Sequence, residues 1–204
     1  MIVIGLTGSI GMGKTTTAGL FAAEGIAVHD ADAAVHDLYR GEAVAPIGSV
    51  FPEVVKEGQV DRRLLAENLA KNPANFERLE KIVHPLVRQR EQKFLEQQRQ
   101  SGADFAVLDI PLLFETGADK RVDQKVVASC DEAIQRRRVL ARPGMTEEKL
   151  DLILSRQVPD GEKRARADFV VDTGVSIEDA RRQVQDILAT LRGRNSRSGK
   201  TDNA

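Results

Sequence analysis

The sequence predicts a three-layer α/β/α fold built on a five-stranded, mostly parallel sheet. Five short apolar runs rich in β-branched residues are separated by segments of helical periodicity, and this alternation is typical of a parallel sheet covered by helices on both faces. The 204 residues are enough for one α/β domain with inserts, but not for two independent domains of usual size. The expected strands lie at 2–6, 26–28, 105–110, 126–128 and 169–171.

Two long helical segments interrupt this alternation. The stretch between the second and third runs carries apolar side chains at helical spacing, and because it holds more helix than one crossover needs, we expect a helical insert over about 31–102. A second insert over about 131–166 is expected to be a helical hairpin, because Pro143 and Gly144 separate two helical patterns and Thr146 can cap the second. The core then comprises residues from about 1–30, 103–130 and 167–192.

The C-terminal end changes character after the last predicted helix. That helix is expected to run from near Ser176 to about Leu191, which closes a single domain over 1–192. Residues 193–204 are polar, contain Gly and Ser, and show no apolar periodicity. This composition predicts a disordered tail.

The overall composition excludes several classes of protein. With 30 Lys and Arg against 31 Asp and Glu, the formal net charge of −1 gives no reason to expect binding to nucleic acid or to an anionic membrane. No apolar run approaches the roughly 20 residues that a membrane span needs, and the first residues resemble a strand rather than a signal peptide. We therefore expect a cytoplasmic protein, and a monomer. Cys130 is the only cysteine, which excludes an intrachain disulfide and a site of clustered thiolates. We expect it to be a small packing residue, the alternative being a nucleophile.

A phosphate-binding motif directly follows the first strand. Residues 8–15 satisfy the pattern G-x-x-x-x-G-K-[ST] between an apolar strand and a helical pattern, the context that gives this motif its meaning. Its glycines allow backbone N–H groups to surround a polyphosphate, while Lys14 supplies charge for the β- and γ-phosphates and the Thr15 hydroxyl can ligate magnesium. This P-loop predicts that ATP and Mg²⁺ are used. The residues expected to hold the nucleotide are Gly8, Gly11, Met12, Gly13, Lys14, Thr15 and Thr16.

A P-loop alone does not distinguish a kinase from a GTPase or an ATP-driven machine. The sequence contains neither the N-K-x-D motif of guanine recognition nor a D-x-x-G switch. A small protein with two helical inserts suits a kinase that closes over two substrates and excludes water.

Carboxylates are expected at the ends of two strands, where ligands bind in parallel α/β sheets. Asp30 and Asp32 lie where the second strand runs into a helix. We choose Asp32 as the base that takes the proton of an acceptor hydroxyl, the alternative being an ordinary helix N-cap. Asp30 is equally expected to cap the helix or to support this site. Asp109 ends the third strand and could help to hold magnesium through water, or could cap the segment that follows.

The second insert carries several arginines. Gln135, Arg138 and Arg142 are spaced three and four residues apart and would share one helix face, with Arg156 in the partner helix. Because guanidinium groups suit phosphate oxygens, a mobile hairpin could bring Arg138 and Arg142 onto ATP, supply charge to the transferring group and exclude water. A solvated helix face is the alternative, and it applies better to Arg136 and Arg137.

With these residues assembled, the chain resembles dephospho-coenzyme A (dephospho-CoA) kinases over nearly its whole length, excluding the polar tail. The matching segments occur in the family's order and at similar spacing. They are residues 5–15, 30–32, 58–62, 79–87 with His84 and Pro85, 109–115, 135–142, Gln157 and 167–168.

The resemblance implies a three-part P-loop kinase with a nucleotide core, a helical coenzyme-binding region and a lid. It implies transfer of the γ-phosphoryl group of ATP to the ribose 3′-hydroxyl of dephospho-CoA, the last step of coenzyme A synthesis. The family's candidate base is the second aspartate of Asp-Ala-Asp, which is Asp32 here. Two positions depart from the commonest pattern, since Met12 replaces a usual serine and Asp172 stands where asparagine is often found. The alternatives are another small-molecule or nucleoside monophosphate kinase, or an ATP-binding regulator.

The first insert is expected to bind the acceptor. A substrate with a long pantetheine arm needs an extended surface, which a large helical insert could provide. Arg62, His84 and Arg88 offer donors for its diphosphate, although each could equally be a surface or packing residue. His36 lies four residues after Asp32 on one helix face and could line the acceptor site, or be an ordinary packed or solvated histidine. Together with Asp30, these residues are the expected acceptor contacts.

Overall fold

The computed structural model describes residues 1–72 and 74–198. Its strands are β1 (Ile2–Thr7), β2 (Ala27–Asp30), β3 (Val55–Lys56), β4 (Gln59–Val60), β5 (Phe105–Asp109), β6 (Gln124–Ser129) and β7 (Phe169–Asp172). Its α-helices are α1 (Lys14–Ala23), α2 (Ala31–Leu38), α3 (Val44–Val50), α4 (Arg62–Lys71), α5 (Ala74–Gln100), α6 (Glu132–Leu140), α7 (Glu147–Leu154), α8 (Asp160–Arg166) and α9 (Ile177–Ser198), and short 3₁₀ helices cover Pro52–Val54 and Ala118–Arg121.

The predicted five-stranded parallel sheet is confirmed, with the strand order β2-β5-β1-β6-β7. β1 lies in the middle, where Leu6 is in register with Asp109 of β5 on one side and with Val126 of β6 on the other. The carboxyl ends of these parallel strands therefore meet at one edge, and the loop between β1 and α1 starts from that edge.

One compact unit comprises residues 1–28 and the described residues from 103 onward. Its core consists of buried side chains from the sheet together with α1 and α9, and Phe21, Val184 and Leu188 are wholly buried there. Burial of one such side chain stabilises the fold by roughly 1.5–3 kcal/mol relative to its exposure to water. This packing fixes α1, and with it the loop that precedes α1, against the sheet.

The segment His29–Gly102 forms a second compact unit. Helices α2 to α5 surround a separate apolar core in which Leu38, Ile47 and Val54 have no exposed surface. Its limits are close to those expected for the helical insert at 31–102. The C-terminal part of this unit is helical and is divided between α4 and α5.

A β-hairpin within this second unit was not expected from the sequence. Strands β3 and β4 pair antiparallel, with Val55 opposite Val60, and the two turn residues Glu57 and Gly58 have φ angles of 50° and 74°. Two adjacent residues with positive φ are typical of the tightest hairpin turns. The prediction of an all-helical insert is therefore wrong at this point.

Helix α9 continues to Ser198, beyond the end expected near Leu191. The guanidinium groups of Arg192 and Arg194 lie 5.7 Å from the ring centroids of Phe105 and Phe169, respectively, and such cation–π contacts stabilise the additional turns. The predicted start of the tail at residue 193 is therefore too early in the sequence, because residues 193–198 are helical. Residues 199–204 lie outside the described part of the chain. In the part that is described, no helix is both long and apolar enough to cross a membrane.

Candidate active site

The P-loop occupies residues 8–13, between the end of β1 and the start of α1. Gly11 and Gly13 have φ angles of 79° and 83°, a left-handed conformation that side chains disfavour. A Cβ atom on Gly13 would also lie only 2.8 Å from the Thr173 hydroxyl. The predicted strand–loop–helix context of the motif is present, and Thr15 and Thr16 lie exposed in the first turn of α1.

Lys14 and Asp109 form an ion pair next to this loop. The Lys14 Nζ atom lies 2.6 Å from Asp109 Oδ1, and the two side chains are only 15% and 4% exposed. They meet because parallel pairing of β1 and β5 places Asp109 in register with Leu6, just before the loop. The structure therefore assigns the Asp109 carboxylate a contact with the P-loop lysine that the sequence did not reveal.

Thr173, which follows β7, is a site residue that the sequence analysis missed. Its hydroxyl donates a hydrogen bond to the carbonyl oxygen of Met12 over 2.9 Å, which ties the P-loop to the end of β7. Next to it, the Asp172 carboxylate accepts a hydrogen bond from the Gly174 N–H over 2.7 Å. A lone threonine after a strand carries no sequence signal that would have identified this contact.

The structure contradicts the predicted arginine face in two respects. Helix α6 ends at Leu140 and α7 ends at Leu154, so Arg142 and Arg156 both lie beyond their helices and both are exposed. For Arg142 the reason is Pro143, because a residue before proline is disfavoured in the helical region. Arg142 therefore does not share a helix face with Arg138.

Arg138 itself is bound to the segment after β7. Its guanidinium group donates hydrogen bonds to the Thr173 carbonyl oxygen over 2.7 Å and to the Thr173 hydroxyl oxygen over 3.1 Å. Arg138 thus contacts a residue that also contacts the P-loop. Its predicted role at the transferring phosphate is not tested by this geometry and remains a prediction.

Arg136, for which a solvated face was the favoured interpretation, instead joins the two helices of the hairpin. It pairs with Glu132 on its own helix and with Glu147 and Asp151 on α7. The predicted cap of α7 is also present, since the Thr146 hydroxyl accepts a hydrogen bond from the Lys149 N–H. The α6–α7 hairpin is therefore held together by its own charged groups, and α8 follows as a third helix that was not predicted.

Cys130 is buried beside the P-loop, where its thiol lies 3.5 Å from the Met12 sulfur. Burial raises the pKa of this thiol, although the nearby Arg138 charge acts in the opposite direction. A buried thiol of this kind is a poor nucleophile, in keeping with the packing role expected for it.

In the second unit, the structure separates the roles of the two aspartates that follow β2. Asp30 is the N-cap of α2, because its carboxylate accepts hydrogen bonds from the N–H groups of Asp32 and Ala33 over 2.9 and 3.0 Å. Asp32 lies in the first turn with its side chain exposed. The alternative that Asp32 is the N-cap is therefore wrong, and its carboxylate remains a candidate base.

The expected acceptor residues divide between two concave surfaces of this second unit. His36 and Arg62 line a cavity of about 520 Å³ at the β3–β4 hairpin, together with Arg40, Lys56 and Arg63. His84 and Arg88 line a different groove of about 690 Å³ along α5. The structure thus brings Arg62 together with His36, and not with His84 and Arg88 as the sequence analysis had grouped it.

Comparison with known proteins identifies the family. The family model described as dephospho-CoA kinase matches residues 2–179. The dephospho-CoA kinases of Agrobacterium fabrum and Rhizobium etli are 64% and 59% identical to this chain, over 94% and 95% of its length and 98% and 96% of theirs. Among solved structures, TT1252 from Thermus thermophilus has a TM-score of 0.81 at 36% identity, with 93% of this chain and 97% of that one covered. The chain belongs to the dephospho-CoA kinase family.

Proposed function

We propose that this protein transfers the γ-phosphoryl group of ATP to the ribose 3′-hydroxyl of dephospho-CoA, which gives coenzyme A and ADP in the last step of coenzyme A synthesis. The observation that carries the proposal is a complete P-loop in a chain that matches this family over nearly its full length. We further propose that it acts in the cytoplasm as a monomer.

The donor site is built from the P-loop and the start of α1. Backbone N–H groups of the loop and the N-terminus of α1 surround the phosphates of ATP. Lys14 exchanges its contact with Asp109 for the β- and γ-phosphates, where its charge stabilises the phosphoryl group as it departs. Gly8, Gly11, Met12, Gly13 and Thr16 complete the cradle.

The donor site offers magnesium few protein ligands, which suits the way this ion binds in kinases. No cluster of three or more His, Cys, Asp or Glu that could hold a metal ion occurs in residues 1–72 or 74–198, and Mg²⁺ in kinases is commonly held by one or two protein oxygens, substrate phosphates and water. Thr15 would supply its hydroxyl, and Asp109 would accept a hydrogen bond from a metal-bound water. When bound, the ion neutralises charge on the phosphates.

The acceptor site is proposed to lie in the His29–Gly102 unit. Asp32 takes the proton of the 3′-hydroxyl as the phosphoryl group arrives, and Asp30 holds the backbone of Asp32 through its cap hydrogen bond. Arg62 and His36 bind the diphosphate in the cavity that they share. His84 and Arg88 lie on the α5 groove and are proposed to contact the remainder of the substrate.

An acceptor screen tests this function. Release of ADP should be fastest with dephospho-CoA and much slower with adenosine, AMP or shikimate, because binding energy from the remote part of the substrate is used to orient the hydroxyl. A comparable rate with shikimate or AMP would overturn the proposed acceptor while leaving a P-loop kinase.

The variant Arg62→Ala, used in the same screen, tests whether Arg62 binds the diphosphate of dephospho-CoA. It should raise KM for dephospho-CoA by roughly tenfold or more, as loss of a charge-assisted hydrogen bond predicts, and it should leave the slow rate with adenosine unchanged because adenosine has no diphosphate. Arg99→Ala is the matched control, since Arg99 lies exposed near the end of α5 beside Glu96. An equal loss of activity with dephospho-CoA and with adenosine would show that Arg62 does not bind the diphosphate.

The α6–α7 hairpin is proposed to act as a lid that closes over ATP and brings Arg138 and Arg142 to its phosphates. The exposed Arg142 and the left-handed Gly144, with a φ of 75°, lie at its bend. Because Gln135 and Gln157 anchor the base of this hairpin on the P-loop, closure moves its outer part around the bend, and lids of this kind exclude water from the reaction.

Hydrogen exchange tests this lid. Amides from Ala133 to Arg156 should become more protected when a non-hydrolysable ATP analogue is added, because the hairpin gains contacts with the phosphates. Amides of α4, in the other unit, serve as an internal control and should change little. Unchanged protection across the hairpin would indicate that it does not close on the nucleotide.

A further inference from the structure

Both backbone polar groups of Ile10, inside the P-loop, are held by side-chain amides. Gln135 donates a hydrogen bond from Nε2 to the Ile10 carbonyl oxygen over 2.7 Å. The Ile10 N–H donates to the Oε1 atom of Gln157 over 3.2 Å. One glutamine comes from α6 and the other from the segment between α7 and α8, so two distant parts of the chain meet at one residue of the loop.

Gln135 contacts the loop closely. This residue is only 3% exposed, and a Cβ atom on the neighbouring Gly11 would lie 3.3 Å from Gln135 Cγ and 2.5 Å from Val139 Cγ2. Helix α6 therefore packs directly on the loop. Since buried polar groups need partners, the Gln135 amide is committed to this contact.

Gln157 is held in turn by a buried ion pair. The Glu115 carboxylate accepts a hydrogen bond from the N–H of Val158, the next residue, over 2.8 Å, and it lies 2.9 Å from the wholly buried Lys163 ammonium. Burial acts to raise the pKa of Glu115, but hydrogen bonds from Lys163 and from backbone N–H groups outweigh it and lower the pKa. Glu115 is therefore a carboxylate at neutral pH and a fixed anchor for the segment that carries Gln157.

A P-loop works by directing backbone N–H groups at phosphate oxygens, so the orientation of each peptide in the loop matters. Hydrogen bonds to the N–H and to the carbonyl of Ile10 fix the two peptide groups on either side of its Cα atom, and so set the direction in which the chain enters Gly11. A loop shaped before ATP arrives loses less conformational freedom on binding, which increases affinity.

We propose that Gln135 and Gln157 are positioning residues that shape the P-loop for ATP by holding the carbonyl and the N–H group of Ile10, respectively. This rests on the proposed function only in that ATP is the ligand of the loop. The two glutamines touch neither substrate in this assignment and act through the backbone of Ile10.

Direct titration with a non-hydrolysable ATP analogue, without any acceptor, tests the positioning role separately from the choice of acceptor. Gln135→Met and Gln157→Met should each weaken binding by roughly tenfold, as expected for the loss of a buried hydrogen bond. In the full reaction, KM for ATP should rise while KM for dephospho-CoA stays within about twofold of its original value, a split that general loss of structure would not give. Gln185→Met, on the exposed side of α9, is the matched control and should bind the analogue normally.

The direction of the two hydrogen bonds gives a second, sharper comparison. Gln157→Glu keeps an acceptor for the Ile10 N–H, whereas Gln135→Glu removes the donor and places a carboxylate against the Ile10 carbonyl. Both variants add one negative charge beside the same residue of the loop, so any repulsion of ATP is shared between them. The analogue should therefore bind at least about fivefold more tightly to Gln157→Glu than to Gln135→Glu, given the cost of an unpaired buried acceptor.

Several outcomes would overturn the positioning role. Unchanged analogue affinity in Gln157→Met would do so, and because Gln157 is less buried than Gln135, this variant is informative even if Gln135→Met does not fold. Equal affinity in the two glutamate variants would also contradict it, as would a parallel rise in both KM values together with a lower melting temperature. Failure of the unmodified protein to bind the analogue would instead overturn the proposed function itself.

Discussion

Replacement of Lys14 by alanine should lower turnover at least about 100-fold while the fold is retained. The ammonium group acts mainly on charge that develops as the γ-phosphoryl group departs, and an interaction of this kind contributes more to the transition state than to substrate binding. The change should therefore appear in kcat, measured at saturating ATP and dephospho-CoA. Near-normal turnover would show that residues 8–15 are not the catalytic phosphate cradle.

The contact between Lys14 and Asp109 requires a control for stability. Because the pair is largely buried, removing the lysine alone should destabilise the fold, by on the order of 3 kcal/mol. The double variant Lys14→Ala/Asp109→Asn removes the buried negative charge as well and should recover much of this stability without recovering turnover. If the double variant recovered turnover as well as stability, the loss of turnover in Lys14→Ala would have come from misfolding and not from the missing charge.

Replacement of Asp32 by asparagine should lower turnover by roughly 100-fold to 10,000-fold, with only a modest change in the binding of either substrate. Asparagine keeps the size of the side chain but cannot accept the proton of the acceptor hydroxyl. Helix α2 should remain intact because Asp30, and not Asp32, forms its cap. Single-turnover kinetics at saturating substrates measures the effect on the chemical step.

Asp37→Asn is a matched control on the same helix, since Asp37 is exposed and lies near Arg90. Its turnover should stay within about twofold of the original value, as for most surface substitutions. If instead Asp32→Asn abolished affinity for dephospho-CoA while turnover at saturation survived, Asp32 would be a binding residue and the base would lie elsewhere.

The sheet and the P-loop were predictable because their signals are local. The strand β1, the glycines and Lys14 follow one another without a gap, so the sequence shows both the motif and its context. The β3–β4 hairpin was missed because strands of two residues are too short to show alternation. Gly58 lies between two short runs, but Glu57 is not one of the residues that mark a positive-φ turn in a sequence, so the turn carried only a weak signal.

The contacts within the site were harder to predict because they join residues that are far apart in sequence. Asp109 reaches Lys14 across 95 positions and Gln157 reaches Ile10 across 147, and both contacts depend on strand order and helix packing. The end of α6 was predicted wrongly for a different reason. Spacing alone placed Arg142 on the helix, whereas the proline that follows it ends the helical conformation earlier.

The identity of the acceptor and the position of the new phosphate test the proposed function most directly. Dephospho-CoA, AMP and shikimate should compete at equal concentrations for a limiting amount of ATP, with the products resolved by mass spectrometry and the phosphorylated position determined by phosphorus NMR. The expected result is that dephospho-CoA takes nearly all of the phosphate and carries it on the ribose 3′-hydroxyl. Faster phosphorylation of AMP or shikimate, or phosphate at any position of dephospho-CoA other than the 3′-hydroxyl, would contradict it.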